Sequence, residues 1–454
     1  MAELNCYITT FNCGRSLINT DYFAANLFDG LKSELPPDFI VLCLQEIAPI
    51  GQSFLGGSLL TPYFARFMQA VADATSRQFG KESRYNAVIS RNVGMTGVMV
   101  FAKHELVRFI KRTETAGVGV GVWEMGNKGA VGVRLGLSGL GEDRDEETLL
   151  SFVAAHLAPM EGAWQKRNED WKSICQDLVF EPVVEAGHRR AVMEGRVEGE
   201  GESEPLLSAT ESKHSVGSMF DPPSHLFFAG DLNYRTSDSP PQPSDLETWP
   251  QPTEATSDPH HYSQLLPKDQ LTREHKKGDT LHLLAEAPVN FAPTYKYSTA
   301  AQKHVAHSAV TEEQRTLADG RVVDTTYLKP GDHEKVWLWA EHRTPSWCDR
   351  ILFLKEAPPT VHSYTALPIQ PTSDHRPVAL SCSVPRKPIR VGDVEAPFKV
   401  RSDWRERRAA ARRYEILVGL AAYLGLTWEG EALLAGTVVG ILGGYLVLRA
   451  LLGT

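Results

Sequence analysis

Paired cysteines are missing from this chain. Its six cysteines, at 6, 13, 43, 175, 348 and 382 of 454 residues, form no CxxC pair, and most sit in apolar runs such as "IVLCLQE" and "ALSCSV". This argues against a disulfide framework and predicts reduced core thiols in a cytosolic compartment. The start, "MAELNCYITTFNCG", has neither the basic opening nor the long apolar centre of a secretory signal. A basic surplus is missing as well. The formal net charge is −9, and residues 181–222 alone hold nine acidic and four basic side chains, so the remainder is nearly balanced. No bulk attraction for nucleic acid follows, and nucleic acid is not an expected partner. With 42% hydrophobic and 23% charged residues the chain is not disordered throughout. No internal repeat is visible.

Long apolar runs are absent until the end. Ala432 to Leu452, "ALLAGTVVGILGGYLVLRALL", is nearly unbroken and long enough to cross a bilayer, with its one charge, Arg449, near the terminus. Six arginines between 401 and 413 precede it, against Asp403, Glu406 and Glu415, and basic residues flank the cytosolic end of a span. The expected location is therefore the cytosolic face of a membrane, with the endoplasmic reticulum as the first expectation. The apolar piece Ile416 to Leu426 is too short to span and reads as interfacial or re-entrant. Gly436, Gly440 and Gly444 repeat at the spacing that lets membrane helices approach, although ordinary glycine use accounts for them equally well.

The remainder carries strand-length apolar runs with a β-branched or aromatic bias: "CYITTFNCG", "FIVLCLQEI", "GVMVFAK", "AVGVRLGL", "LSFVAAHLA", "LFFAGDLNYR", "DRILFL" and "PVALSCSV". Stretches with three- and four-residue apolar steps, such as "PYFARFMQAVADATSRQFG", separate them, and together they predict a layered α/β fold. The Glu/Gly/Ser-rich 184–223 and the Pro/Ser/Thr-rich 236–260 read as mobile insertions.

The strand ends carry chemistry. In "FFAGDLNYR", Asp231 and Asn233 are two apart, so on a strand they would project to one face; alone, "GDLN" reads equally as a turn. Asn12 closes "YITTFN", Glu46 closes "FIVLCLQE", His156 closes "SFVAAH", Asp349 opens "CDRILF", and Asp374 with His375 precedes "RPVALS". Their recurrence at one strand end after another points to a single polar site suited to metal and proton chemistry.

The blocks "TFNCG", "LQEI", "GNKGAVGV", "AAHLAP…RNEDW", "FAGDLNYR", "APTYKY", "TPSWCDRILF" and "SDHRPV", in that order, resemble the catalytic domain of inositol polyphosphate 5-phosphatases over about residues 4–385. With a C-terminal span, the chain is most similar to tail-anchored fungal phosphatidylinositol 4,5-bisphosphate 5-phosphatases. The resemblance implies a four-layer, two-sheet β-sandwich flanked by helices, the endonuclease/exonuclease/phosphatase fold, with magnesium as cofactor and a phosphoinositide lipid as substrate. It divides the chain into a catalytic domain (1–385), a basic juxtamembrane linker (386–415) and a hydrophobic tail (416–454) with its span at 432–452. It implies Glu46 as principal metal ligand, with Asn12 and Asp374 in the same shell. Asp231 would orient and deprotonate the attacking water, and Asn233 would hold a phosphate oxygen. His375, fixed by Asp349, would donate to the scissile phosphate, with His156 as a second contact. Tyr295, Lys296 and Arg350 would bind the neighbouring phosphate, with Asn127 and Lys128 close by. An in-line attack on a phosphomonoester needs an activated water, a cation and fixed donors, which these residue types supply.

Two positions depart from the pattern: Glu341 stands where several relatives carry a lysine, and Met160 replaces a histidine often found four residues after His156. An abasic-site nuclease of the same fold would share "LQE", "GDLN" and "SDH" but has no use for "PTYK", "PSWCDR" or a span. A catalytically weak lipid-binding protein would be expected to lack Glu46, Asp231 or His375, and all three are present.

Overall fold

A computed structural model describes residues 3–33, 35–139, 146–183, 217–306, 310–316, 322–328, 336–390 and 394–452. Most of the expected insertion at 184–223 lies outside these residues. Among them are fifteen strands: β1 (Glu3–Asn12), β2 (Phe39–Gln45), β3 (Tyr85–Val93), β4 (Thr96–Lys103), β5 (Ile110–Gly119), β6 (Gly129–Ser138), β7 (Glu147–His156), β8 (Glu181–Pro182), β9 (His225–Asp231), β10 (Leu284–Glu286), β11 (Val310–Thr316), β12 (Val322–Leu328), β13 (Asp349–Leu354), β14 (Thr360–Ala366) and β15 (Val378–Pro385). They form a six-stranded sheet, β14-β15-β1-β2-β4-β3, a seven-stranded sheet, β10-β13-β9-β7-β6-β5-β8, and a separate β11-β12 hairpin. All eight apolar runs singled out in the sequence are strands. Strands β5 ("IKRTETAGVG") and β14 ("TVHSYTA") have no such apolar run: both are half polar, and neither is buried along its whole length.

The two large sheets pack face to face. Strand parity sorts the side chains, because successive residues point to opposite faces. Cys6 and Ile8 of β1, Val41 and Cys43 of β2, Phe152 and Ala154 of β7, Phe227 and Ala229 of β9, and Ile351 and Phe353 of β13 fill the space between the sheets. Opposite parity sends Tyr7, Phe11, Ile40 and Leu42 toward α1 (Thr20–Asn26) and α3 (Thr61–Phe79). It sends Phe228 and Leu352 toward α4 (Trp164–Asp177), where Trp171 packs edge-on to Phe228. Each fully buried large apolar side chain contributes about 1.5–3 kcal/mol, so this interior is what fixes the register of the strand ends.

The stretch 236–260, whose composition reads as a mobile loop, contains a 3-10 helix over Pro243–Thr248 and packs on 336–340. Trp249 is buried, Trp339 Nε1 donates to Pro250 O at 2.7 Å, and Gln251 pairs with both backbone groups of Trp337. Trp337 and Trp339, outside this stretch, pack with its own Trp249 and supply the apolar cover that the rest of its composition lacks.

The C-terminus is two helices. The penultimate helix runs Trp404–Leu426, joining the arginine-rich stretch and the short apolar piece into one element. Thr427, with extended backbone, separates it from the terminal helix Trp428–Leu452, and its Oγ1 caps that helix by accepting from Gly430 N at 3.1 Å. The terminal helix is long and apolar enough to cross a membrane and buries none of its apolar length against the fold.

Candidate active site

The parity that fills the core also builds the site. Asn12, His156, Asp231 and Asp349 occupy the same faces of β1, β7, β9 and β13 as the inter-sheet core residues, so they crown the sandwich where apolar packing stops. Register then pairs them. His156 lies opposite Asp231 across the parallel β7–β9 ladder, and Asp349 opposite Asp231 across the antiparallel β9–β13 ladder. Asp231 Oδ2 accepts from Asn12 Nδ2 at 2.9 Å and lies 3.2 Å from His156 Nε2 and 3.8 Å from His375 Nε2. His375 Nδ1 meets Asp349 Oδ2 at 2.8 Å, and Thr294 Oγ1 donates to that same oxygen at 2.7 Å. The His375 ring is thus fixed from behind with Nε2 facing the cleft.

Two other site residues leave strand geometry. Glu46 (φ +46°) and Asn233 (φ +58°) adopt the left-handed conformation just past the ends of β2 and β9. For Asn233 both readings of "GDLN" hold. It is a turn residue whose N–H donates to Asp231 Oδ1 at 3.1 Å and whose Nδ2 donates to Leu157 O at 3.2 Å, and it also lines the cleft.

These groups surround a polar cleft of about 360 Å³ lined by Asn12, Glu46, Lys128, Asp231, Asn233 and Lys296, with Tyr295, Asp374 and His375 on the same wall. Glu46 takes Arg15 Nε at 2.7 Å and lies 3.8 Å from Lys128 Nζ. Burial pushes Glu46 up, but its cationic neighbours outweigh that and hold its carboxyl below the usual range. Asp231 is also held well below the usual range, burial being outweighed by His375 first. Burial opposes charge on His375, yet Asp349 and Asp231 push it up to about 9, while burial pushes Asp349 up to about 6. The pair is therefore an imidazolium on a carboxylate at neutral pH. His156 goes the other way, pushed down by burial and by Lys128. As a neutral ring, its Nε2 accepts from Lys128 Nζ at 2.5 Å in one tautomer and donates to Asp231 in the other. Lys296 pairs with Asp374, which outweighs burial and raises the lysine.

Not every expected residue reaches the cleft. Arg350 does not: it has the parity of Leu352 and Leu354, opposite to Asp349, and is buried on the far side of the sheet, where Glu286 and Asp269 bind it at 2.5 and 3.1 Å. Adjacent residues on a strand cannot both face the cleft, so "CDR" supplies one site residue, not two. Asn127 lies in the turn before Lys128 but off the cleft wall, and His156 lies beneath Asp231 rather than along the wall. Glu341 and Met160 are exposed and line no part of the cleft.

Two further cations line the cleft. Arg235 ends the "GDLNYR" block, is buried, donates from Nε to Asn233 O at 3.0 Å and from Nη2 to Asn233 Oδ1, and lies 4.3 Å over the Tyr295 ring. Arg15 follows "TFNCG" and lines the cleft beside Glu46. Position beside a motif was the only signal for either.

The cleft's own donors are the carboxylates of Glu46, Asp231 and Asp374 and the carboxamide oxygen of Asn12, all hard oxygen ligands of the kind a divalent magnesium- or calcium-type ion takes. Asp231, Asp349 and His375 form a tighter group with donor atoms within 4.8 Å of one another. In that group Asp349 Oδ2 is taken by His375 and Thr294, while its buried Oδ1 has no hydrogen-bond partner among the described residues.

Comparison with known proteins agrees with this frame. The chain is 27% identical over 289 residues to type IV inositol polyphosphate 5-phosphatase 3 of Arabidopsis thaliana, covering 63% of this chain and 32% of that protein. It is 26% identical over 351 residues to type II inositol 1,4,5-trisphosphate 5-phosphatase of Mus musculus, covering 76% and 27%. The chain thus spans about a third or less of the length of these curated relatives. The solved inositol polyphosphate 5-phosphatase domain (IPP5C) of SPsynaptojanin, in complex with inositol (1,4)-bisphosphate and calcium ion, shares the fold, with a TM-score of 0.55 at 20% identity over 91% of this chain and 90% of that one. Residues 9–381, from β1 into β15, match the endonuclease/exonuclease/phosphatase family 2, and the chain belongs to that family.

Proposed function

We propose that the chain is a magnesium-dependent phosphatase that removes the 5-phosphate from phosphatidylinositol 4,5-bisphosphate at a cytosolic membrane face. The observation that carries this reading is one polar cleft in which the Asp349–His375 pair and an ionised Asp231 face Lys128, Lys296 and Arg235. The names of the two relatives described above, both inositol phosphate 5-phosphatases, support the substrate class.

Glu46, Asn12 and Asp374 would hold the ion, which when bound supplies positive charge to the scissile phosphate. Asp231 stays ionised and orients a water: its Oδ2 is committed to Asn12 and His156, while Oδ1 accepts only from Asn233 N among the described residues. His375, protonated and fixed at Nδ1, presents Nε2–H to a phosphate oxygen as negative charge develops, and Asn233 lies on the same wall. His156 sets the position of Asp231 rather than touching substrate. Lys296, with Tyr295 beneath it, and Lys128 match a polyanionic head group. The terminal helix Trp428–Leu452 would hold the cleft at the bilayer, with the arginine-rich helix on the cytosolic side.

The test is phosphate release from phosphatidylinositol 4,5-bisphosphate vesicles and from soluble inositol polyphosphates, with magnesium and with EDTA. Release from the lipid that chelation abolishes is expected. Release unaffected by chelator, or none from any inositol substrate, defeats the assignment.

A further inference from the structure

The arginine-rich segment before the terminal helix is docked on the loop that carries Lys128 and on the short helix that follows Glu46. Glu415, in the penultimate helix, is fully buried. Its Oε1 accepts from Gly126 N at 2.8 Å, and Arg408 and Arg412 of its own helix flank it at 3.0 and 3.2 Å. Gly126 is two residues before Lys128. Its carbonyl accepts from Met95 N at 2.9 Å, and Val120 N donates to Lys128 O at 2.8 Å, so the loop 120–128 is a closed unit tied to Glu415 at one amide.

The same helix also packs on the element that follows Glu46. Arg412 Nη1 donates to Phe54 O at 2.6 Å, near the end of the short helix α2 (Ile50–Leu55), which begins four residues after Glu46. A Cβ on Gly419 would meet Phe54 Cβ at 2.8 Å and one on Gly51 would meet Tyr423 N at 2.9 Å, so the two helices touch backbone to backbone. On the loop side Arg407 pairs with Glu124, and the Tyr414 and Trp123 rings lie 5.3 Å apart.

A solvated tether has no use for a carboxylate buried with two guanidinium groups and aimed at a loop amide, since removing those charges from water costs several kcal/mol unless fixed partners offset it. We propose that Glu415 is a positioning residue. Through Gly126 N it fixes the 120–128 loop and so sets Lys128 between Glu46 and His156, making the juxtamembrane helix part of the working cleft. Only the kinetic arm of this inference rests on the phosphatase reading.

The experiment uses the full chain in lipid nanodiscs and compares wild type, Glu415→Ala and Glu415→Gln by amide hydrogen exchange and by kcat and KM on phosphatidylinositol 4,5-bisphosphate. Glu415→Ala is expected to speed exchange in 121–128 by about tenfold while β1 and β7 exchange as in wild type, and to lower kcat by about tenfold with KM changed less. Glu415→Gln keeps an oxygen for Gly126 N and should recover most of both. Unchanged exchange in 121–128 after Glu415→Ala, or equal acceleration in the sheets, overturns the proposal. A wild type inactive on every inositol substrate instead removes the phosphatase reading, and the exchange comparison still decides the positioning role.

Discussion

Lys296 and Arg350 look alike in the sequence, each a cation beside an aromatic or acidic motif residue, and the structure separates them by the thickness of a sheet. Lys296 stands in the cleft, about a fifth exposed, with Asp374 as its partner. Arg350 lies behind β13 with almost no exposed surface, held by Glu286 and Asp269, and Tyr364 donates to the same Glu286. A motif tells which residues travel together; only the parity of the strand tells which face each one serves. The first region is built to exchange partners, since a cation paired with one carboxylate at a cleft wall can move to a ligand. The second is built to keep its partners.

The largest expected effect breaks that comparison on its rigid side. Arg350→Ala leaves two carboxylates buried without their cation, which costs about 3–5 kcal/mol, so thermal unfolding should fall by several degrees or more. The folded fraction should keep the wild-type ratio of rates on lipids with and without a 4-phosphate. A normal melting temperature combined with a changed ratio would put Arg350 back in the cleft.

The next effect is chemical. His375→Ala removes the imidazolium that faces the cleft and should lower turnover of the folded protein by about two orders of magnitude, with some loss of melting temperature as well because Asp349 is left buried without its partner. Near-normal turnover in the purified variant would exclude His375 as the donor.

Lys296→Ala tests the mobile side. It removes one charge-assisted contact, worth about 1.5–3 kcal/mol in a partly desolvated site, and should lower catalytic efficiency on phosphatidylinositol 4,5-bisphosphate about tenfold or more. A lipid without the 4-phosphate should hardly notice. Equal loss on both would mean that the lysine serves Asp374 and the wall, not the neighbouring phosphate.

Much of the fold and the site is legible in the sequence. The strands and the residues at their ends followed from apolar runs that stop at polar clusters, and Asn12, His156, Asp231 and Asp349 all keep core parity to the last residue. What was unreadable depended on contacts outside the local pattern. Glu46 and Asn233 turn into the cleft through left-handed backbone, which apolar periodicity does not report. Arg235 is held against Asn233 and the Tyr295 ring, contacts that no local pattern reports. The 236–260 stretch borrows its cover from Trp337 and Trp339. Glu415 reads as one more charge in a basic linker until Gly126, 289 positions away, is seen beside it.

The smallest effect sharpens the comparison at its edge. Ala340 N donates to Lys296 O at 2.9 Å, so Glu341 leaves the chain next to the cleft cation while its own side chain stays exposed. An exposed carboxylate there repels an incoming polyphosphate, but through water, where one such charge is worth about 1 kcal/mol or less. Glu341→Lys reverses the sign and should raise efficiency on phosphatidylinositol 4,5-bisphosphate by up to about fivefold at low salt. The gain should fade as ionic strength rises and the Debye length shrinks to about 8 Å at 0.15 M, because the new charge acts from the rim. Lys296, partly desolvated and in contact range, should show much less salt dependence. A salt-resistant gain from Glu341→Lys would mean that the new lysine reaches the phosphate directly, and the boundary between rim and cleft would then lie further out than the wall residues suggest.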